Sequence, residues 1–213
     1  MYTTEPFIED FINDLVPEKD GYLKDMRTFA EEEGVPIIDR QVENYLSFFL
    51  SVLNPATILE LGTAIGYSAS VMAQATDAYI TTVELDPDRA VNARTHFQNQ
   101  NLEERVQLIV GDAADFIAKD EGSYDFIFID AAKGQYEVYL EKCLKLLNRD
   151  GIICMDNVLF HGMLASKELF KRRKITIVKR LKRMLQTVFQ SEELSVNLIP
   201  IGDGVLMIRR LNG

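Results

Sequence analysis

Two short stretches hold the residue types best suited to chemistry, Asp130-Ala-Ala-Lys133 and Asp156-Asn157. Each closes a β-forming run, Tyr124-Asp-Phe-Ile-Phe-Ile-Asp130 and Gly151-Ile-Ile-Cys-Met-Asp156-Asn157. Asp130, Asp156 and Asn157 offer two carboxylates and a carbonyl, with no His nearby and only the apolar-flanked Cys154. An all-oxygen set suits a hard divalent ion such as Mg2+, which keeps some waters and is completed by substrate oxygens. Binding two adjacent substrate oxygens would make a hydroxyl more acidic. Lys133, three residues after Asp130, could then act as general base, or it could be a solvated lysine.

A ligand has to be brought to these oxygens, and Ile58–Ser68 has the pattern to do it. The apolar run Thr57-Ile-Leu-Glu-Leu61 predicts a buried parallel strand. Gly62 and Gly66 break it, and Ser68-Ala-Ser-Val-Met-Ala-Gln starts a helix. Glycines let backbone approach a ligand, and a helix N-terminus offers unpaired N–H groups. The spacing is not the G-x-G-x-x-G of dinucleotide sites, since Ala64 stands at the second glycine. Glu60 would repel a pyrophosphate but suits an ammonium and a sulfonium, the charges of S-adenosylmethionine. The stretch resembles motif I of the class I methyltransferases. Its Gly-Thr-Ala-Ile-Gly-Tyr-Ser-Ala wording is similar to the small metal-dependent O-methyltransferases.

Further acids recur at the ends of predicted strands. Tyr79-Ile-Thr-Thr-Val-Glu84 ends in Glu84, 22 residues beyond Gly62, where an α/β nucleotide site places an acid for the ribose hydroxyls. Asp86-Pro87 opens a helix running to about Asn101. Val106-Gln-Leu-Ile-Val110 precedes Gly111-Asp112-Ala113, where Asp112 could bond an adenine amino group or cap the next helix. A helix is expected from about Gln135 to Leu147. Strands alternating with helices predict a doubly wound sheet with ligands at the strand C-termini. Val196-Asn-Leu-Ile-Pro-Ile201 and Val205-Leu-Met-Ile-Arg209, joined through Gly202-Asp203-Gly204, read as a closing hairpin.

Ahead of the sheet, residues 5–33 read as two amphipathic helices. Phe7, Ile8, Phe11, Ile12 and Leu15 form the first apolar face, and Tyr22, Leu23, Met26 and Phe29 the second. They are expected to cover a sheet edge or a dimer face, so a homodimer is the expected assembly. Val35-Pro36-Ile37-Ile38 is extended because of its proline. Asp39 is expected to cap a helix reaching about Leu53, with Val42, Leu46, Phe49 and Leu50 inward.

Hydrophobic residues make up 47% of the 213, ample for one large core. The expected organisation is one domain over 1–213, with N-terminal helices over 1–53 and a Rossmann-like core over 54–213. No apolar run reaches spanning length and no signal-peptide pattern opens the chain, so a cytoplasmic protein is expected. Cys143 and Cys154 read as core thiols. The formal charge of −10 argues against nucleic acid until it is located. From His161 to Arg183 nine Lys/Arg stand against one acid, so the rest of the chain is more negative still.

With these motifs placed, the chain from Val35 onward resembles the catechol and caffeoyl-CoA O-methyltransferase family. The resemblance implies a class I methyltransferase fold, α/β and Rossmann-like: a mostly parallel seven-stranded sheet, a C-terminal antiparallel hairpin, and helices on both faces. It implies metal ligation by Asp130, Asp156 and Asn157, with Lys133 acting on the substrate hydroxyl. It places Ile38, Gly62, Ser68, Glu84, Asp112, Ala113 and Asp130 around S-adenosylmethionine, beside the Glu60 read from motif I.

Asp156-Asn-Val-Leu-Phe-His-Gly-Met-Leu-Ala165, followed by Lys171-Arg-Arg-Lys174, is similar to the bacterial tRNA 5-hydroxyuridine methyltransferases. These make 5-methoxyuridine at the wobble position, and the 5-hydroxyl and 4-carbonyl of that base form a vicinal oxygen pair as a catechol does. The basic segment 161–183 could hold anticodon-stem phosphates of tRNA. It could equally be the solvated face of a helix with Ile175, Val178, Leu181, Leu185 and Val188 inward. His161 could stack on a flipped base. Two other functions stay open: the same chemistry on a catechol-like phenol, and a non-catalytic S-adenosylmethionine- or RNA-binding module. Intact Asp130, Lys133, Asp156 and Asn157 argue against the last.

Overall fold

The computed structural model describes residues 6–19 and 21–211. Three helices come first: α1 (Pro6–Leu15), α2 (Tyr22–Glu33) and α3 (Arg40–Leu53). Strands and helices then alternate as β1 (Thr57–Leu61), α4 (Tyr67–Ala75), β2 (Tyr79–Glu84), α5 (Pro87–Asn99), β3 (Val106–Val110) and α6 (Ala113–Lys119). After β4 (Tyr124–Ile129), α7 (Tyr136–Leu146) and β5 (Leu147–Met155), helix α8 (Ile175–Phe189) leads to the hairpin β6 (Leu194–Ile199) and β7 (Val205–Arg210).

The seven strands form one sheet in the order β3-β2-β1-β4-β5-β7-β6. From β3 to β5 every pairing is parallel, and β7 runs antiparallel to both β5 and β6. This is the Rossmann-like sheet with a closing hairpin that the strand pattern predicts. The chain goes outward through β1, β2 and β3, then crosses back to β4. The crevice at that reversal, over the C-termini of β1 and β4, is where such sheets bind ligands.

Both faces of the sheet are covered, which is why its strands read as continuous apolar runs. Leu59, Leu61, Ile127, Ile129 and Ile153 point to a core built with α6, α7 and α8. Ile58, Phe126, Phe128 and Cys154 point to the opposite core, under α2, α3, α4 and α5. Phe126 and Phe128 are fully buried, each stabilising the fold by roughly 1.5–3 kcal/mol relative to exposure. Cys143 and Cys154 are buried free thiols in these two cores, as their apolar flanks suggested.

Several local expectations shift. The first helix keeps its amphipathic spacing but its apolar face lies open, with Phe7, Phe11 and Leu15 each more than 60% exposed. In α2 the buried set is Leu23, Met26 and Ala30. Asp39 occupies the N-cap position of α3, yet its side chain accepts no hydrogen bond from the helix. Strand β5 begins at Leu147, four residues before Gly151, because Leu147 pairs with Tyr124 across a register shift. After Asn157 the chain runs in turns, then a 3-10 turn at Arg172–Lys174, and α8 starts only at Ile175. Val178, Leu181, Met184 and Val188 are its buried residues, while Ile175 is exposed. Among the described residues no helix is long and apolar enough to cross a membrane.

Candidate active site

At the end of β1 the chain must turn under its neighbour. Gly62 has φ 104°, and a Cβ there would lie 2.1 Å from the Asp130 carbonyl oxygen. No side chain fits that gap, so glycine is obligatory and motif I is locked against the Asp130 turn. Gly66, at φ 86°, sits just before α4, where a Cβ would press on the Phe97 ring at 2.8 Å. Between them Ala64 takes φ 47°, a left-handed conformation in a non-glycine residue.

Over this turn opens a cavity of about 350 Å³, within the range of small-molecule sites. Motif I contributes Gly62, Thr63, Ala64, Tyr67 and Ser68, and the 36–38 segment forms one side. The ends of β2, β3, β4 and β5 contribute Glu84, Asp112, Ala113, Asp130, Asp156 and Asn157, with Lys133 on the following turn. Of the residues singled out from sequence, Glu60 and His161 are not in this lining.

Glu84 is almost fully buried, and backbone groups hold its carboxylate from two sides. Oε2 accepts from Ala64 N at 2.7 Å and Oε1 from Asp86 N at 2.9 Å. Each carboxylate oxygen has a further lone pair for a ligand hydroxyl. Asp112 caps α6 through Oδ1, which accepts from Ala114 N at 2.7 Å and Asp115 N at 3.1 Å, and it also faces the cavity. The two readings of Asp112 therefore coexist in one side chain.

Glu60 corrects the sequence reading. It shares the strand face of Ile58, toward α4, and lies beneath the cavity wall without lining it. The side chain is fully buried, and its oxygens accept from Ser68 Oγ and Thr82 Oγ1, each at 2.5 Å. Burial pushes its carboxyl up to about 7, against the pull of those two hydroxyl donors. Glu60 thus supports Ser68 from behind, and Ser68 is the group that reaches the cavity wall.

At the other end, Asp130 is partly buried and its Oδ1 accepts from Lys133 Nζ at 3.0 Å. Lys133 Nζ also lies 3.5 Å from the Tyr136 hydroxyl, which donates to the Asp156 carbonyl at 2.9 Å. Asp156 is 1% exposed; its Oδ1 accepts from Asn157 N at 2.6 Å, and Oδ2 is buried with no hydrogen-bond partner. Burial first, then the Asp130 charge, push the Asp156 carboxyl well above the ordinary carboxylate range. An orphaned carboxylate oxygen next to a second carboxylate fits a hard cation. Among the described residues no three His, Cys, Asp or Glu side chains gather closely enough to hold a metal. The third protein ligand would have to be the Asn157 amide, whose residue takes the left-handed φ of 54°.

The basic segment lies beside this end of the site. Arg180 Nη1 donates to Gly134 O at 3.0 Å, and Arg183 forms a two-pronged pair with Glu137. Two of the nine cations thus fasten α8, one to the turn that carries Lys133 and the other to the start of α7. Lys167, Lys171, Arg172, Arg173, Lys179 and Lys182 are exposed. His161 does not stack over the cavity. Its side chain is exposed, and its backbone N–H donates to Asp203 Oδ2 at 2.6 Å.

Sequence reading missed Tyr67, Arg89, Gln135 and Tyr139, all of which line the cavity. Tyr67 was within reach, since it directly follows Gly66 at a helix N-terminus. Arg89, Gln135 and Tyr139 sit in helical starts after β2 and β4 and carry no local signal.

The sequence model of the O-methyltransferase family matches residues 14–211. A caffeoyl-CoA O-methyltransferase of Stellaria longipes is 29% identical over 209 residues, 92% of this chain and 86% of that protein. A flavonoid 3',5'-methyltransferase of Vitis vinifera is 33% identical over 177 residues, 78% of this chain and 75% of that protein. Among solved structures, a candidate caffeoyl-CoA O-methyltransferase from Staphylococcus aureus superposes with TM-score 0.88 at 29% identity, covering 96% of this chain and 99% of that one. The Podospora anserina methyltransferase PaMTH1, solved with S-adenosylhomocysteine, shares the fold at TM-score 0.87 and 24% identity, covering 98% and 97%. The chain therefore belongs to the S-adenosylmethionine-dependent O-methyltransferases of the caffeoyl-CoA type.

Proposed function

We propose that this O-methyltransferase acts on tRNA, converting 5-hydroxyuridine at the wobble position to 5-methoxyuridine, and that it uses Mg2+. The observation that carries the tRNA reading is the exposed positive surface fastened to the Lys133 turn on an otherwise acidic protein. Such a surface suits a phosphate backbone. The 5-hydroxyl and 4-carbonyl of the base would present the same vicinal oxygens as a catechol.

S-adenosylmethionine supplies an electrophilic methyl on a sulfonium, and Mg2+, held by Asp130, Asp156 and Asn157, would supply Lewis acidity. The residues do the rest. Gly62 allows the backbone to pass close under the ligand, and Glu84 accepts hydrogen bonds from the ribose hydroxyls. Asp112 accepts from the adenine amino group. Lys133 Nζ, once its own proton has passed to solvent, holds the reacting hydroxyl and takes its proton as the methyl transfers.

The relatives' names favour a second reading, methyl transfer to a small catechol-like phenol. The deciding experiment is an in vitro assay with methyl-labelled S-adenosylmethionine, comparing tRNA that carries 5-hydroxyuridine with a free catechol. Nucleoside mass spectrometry showing 5-methoxyuridine supports the tRNA reading. Methylation of catechol alone replaces it.

A further inference from the structure

Behind the Tyr67 ring, on the side away from the cavity, lies a buried charge network that methyl transfer does not use. Arg27 of α2 reaches under α3 and meets three acceptors at once. Its Nε donates to the Tyr67 hydroxyl at 3.2 Å, and Nη2 donates to the Ile38 carbonyl at 3.2 Å and to Glu43 Oε2 at 2.7 Å. The Tyr67 hydroxyl in turn donates to the same Glu43 oxygen at 2.9 Å. The guanidinium carbon stands 4.8 Å from the Tyr67 ring centroid. Arg27 and Glu43 side chains are only 20% and 5% exposed.

Tyr67 and Ile38 both line the cavity, one at the start of α4 and the other on the extended segment after α2. They belong to different elements, and the sheet fixes only the first of them directly. One guanidinium therefore hydrogen-bonds to both walls, adding a directional polar tie to the apolar cluster they already share. A planar fork suits this task, because its donors point in fixed, divergent directions.

The network is poorly arranged for stability alone. Glu43 Oε1 is buried and has no hydrogen-bond partner, and a buried ion pair often contributes no more than apolar residues of equal volume. Its geometric specificity is what the fold gains from it.

We infer that Arg27 and Glu43 are positioning residues that hold Tyr67 and the Ile38 segment together as one preformed wall of the S-adenosylmethionine cavity. The inference rests on reading that cavity as the cofactor site. Loosening the tether leaves every cavity-lining side chain in place but makes the ligand order them on binding, at a cost in affinity. The chemical step, carried out at the Lys133 end, keeps its rate once cofactor saturates.

The test is calorimetric titration of S-adenosylhomocysteine into the wild-type protein and the variants Arg27→Met, Arg27→Lys and Tyr67→Phe. Circular dichroism and the ligand-free Tm are recorded for each. The expected result is affinity weaker by about three- to tenfold in the folded variants. In the Arg27 variants KM for S-adenosylmethionine rises in step, with kcat near the wild-type value. Arg27→Lys does not rescue, since one ammonium cannot reproduce the fork. Tyr67→Phe keeps the ring and removes only its hydroxyl, so it decides the matter if Arg27→Met does not fold. Wild-type affinity in folded Arg27→Lys and Tyr67→Phe overturns the inference and leaves the cofactor site standing. A wild-type protein that binds no S-adenosylhomocysteine removes the site assignment itself, and the inference with it.

Discussion

Lys133 Nζ stands 3.0 Å from Asp130 Oδ1, three residues back across the turn that follows β4. One carboxylate thus adjoins both the candidate base and the orphaned oxygen of Asp156. Replacing the lysine removes the proton acceptor together with its hydrogen bond to Asp130. Lys133→Ala is expected to lower kcat by about 10²–10⁴-fold while S-adenosylhomocysteine affinity stays near wild type. Single-turnover methylation beside calorimetry checks both halves.

Asp156 separates activity from stability. Its Oδ2 has no partner, and burial raises its carboxyl well above the ordinary range. A raised carboxyl means the folded state binds more protons than the unfolded one, so stability falls as pH rises through that interval. Asp156→Asn keeps the shape and removes the buried charge. It is expected to abolish methyl transfer, while the metal-free Tm at alkaline pH equals or exceeds that of wild type. EDTA should inhibit the wild-type enzyme, with Mg2+ restoring it; full activity in EDTA would remove the metal assignment.

Glu84 faces the cavity with two backbone N–H groups already on its carboxylate. Glu84→Ala removes the acceptors for a ligand's hydroxyls and also leaves the Ala64 N–H unsatisfied. Charge-assisted bonds contribute roughly 1.5–3 kcal/mol each, so S-adenosylhomocysteine affinity should fall at least about tenfold. Binding of the methyl acceptor should change far less. Equal losses for both ligands would mean that the whole turn has collapsed, and unchanged cofactor affinity would take Glu84 out of the site.

Glu60 gives a pH-dependence prediction. Its carboxyl is raised to about 7 from the ordinary 4.5. The contribution of Glu60 to stability is therefore greatest below about 4.5, declines as pH rises toward 7, and shows its full cost above it, on the order of 3 kcal/mol. Glu60→Gln has no charge to lose, and the Ser68 and Thr82 hydroxyls can accept as well as donate. The difference in Tm between variant and wild type should grow in the variant's favour from pH 5 to pH 8. A constant difference would mean that Glu60 titrates normally.

The parallel part of the sheet was legible because its strands are short, largely apolar and each ended or followed by glycine or an acid. Two-sided burial hid the direction of Glu60. In a strand with one wet face, alternation would have turned it inward or outward, but Ile58, Leu59 and Leu61 are all apolar and give no parity signal. Glu84, Asp112, Asp130, Asp156 and Asn157 were legible as a set, since strand C-termini converge at the reversal between β1 and β4. The tether of Arg27 to Glu43 and Tyr67 joins residues 16 and 40 positions apart on three helices. No local pattern encodes such a meeting. The basic segment was legible as charge and not as shape, because half of it is turn and two of its arginines bind neighbouring protein.

That division sharpens the test of substrate. Arg180 and Arg183 hold α8 to Gly134 and Glu137, so replacing them would disturb the Lys133 turn whatever the substrate. Arg172 and Arg173 are exposed, and Lys174 stands 5.7 Å over the Phe160 ring at the same turn. Replacing all three with Gln should weaken tRNA binding. It should also flatten the log–log salt dependence by roughly 0.7–0.9 for each phosphate no longer neutralised. Methylation of free catechol, which involves no phosphate, should change far less than tRNA binding. Parallel loss on both substrates would make the 172–174 turn a structural part of a shared pocket. No loss on either would leave it a solvated surface, and the phenol would then be the better substrate assignment.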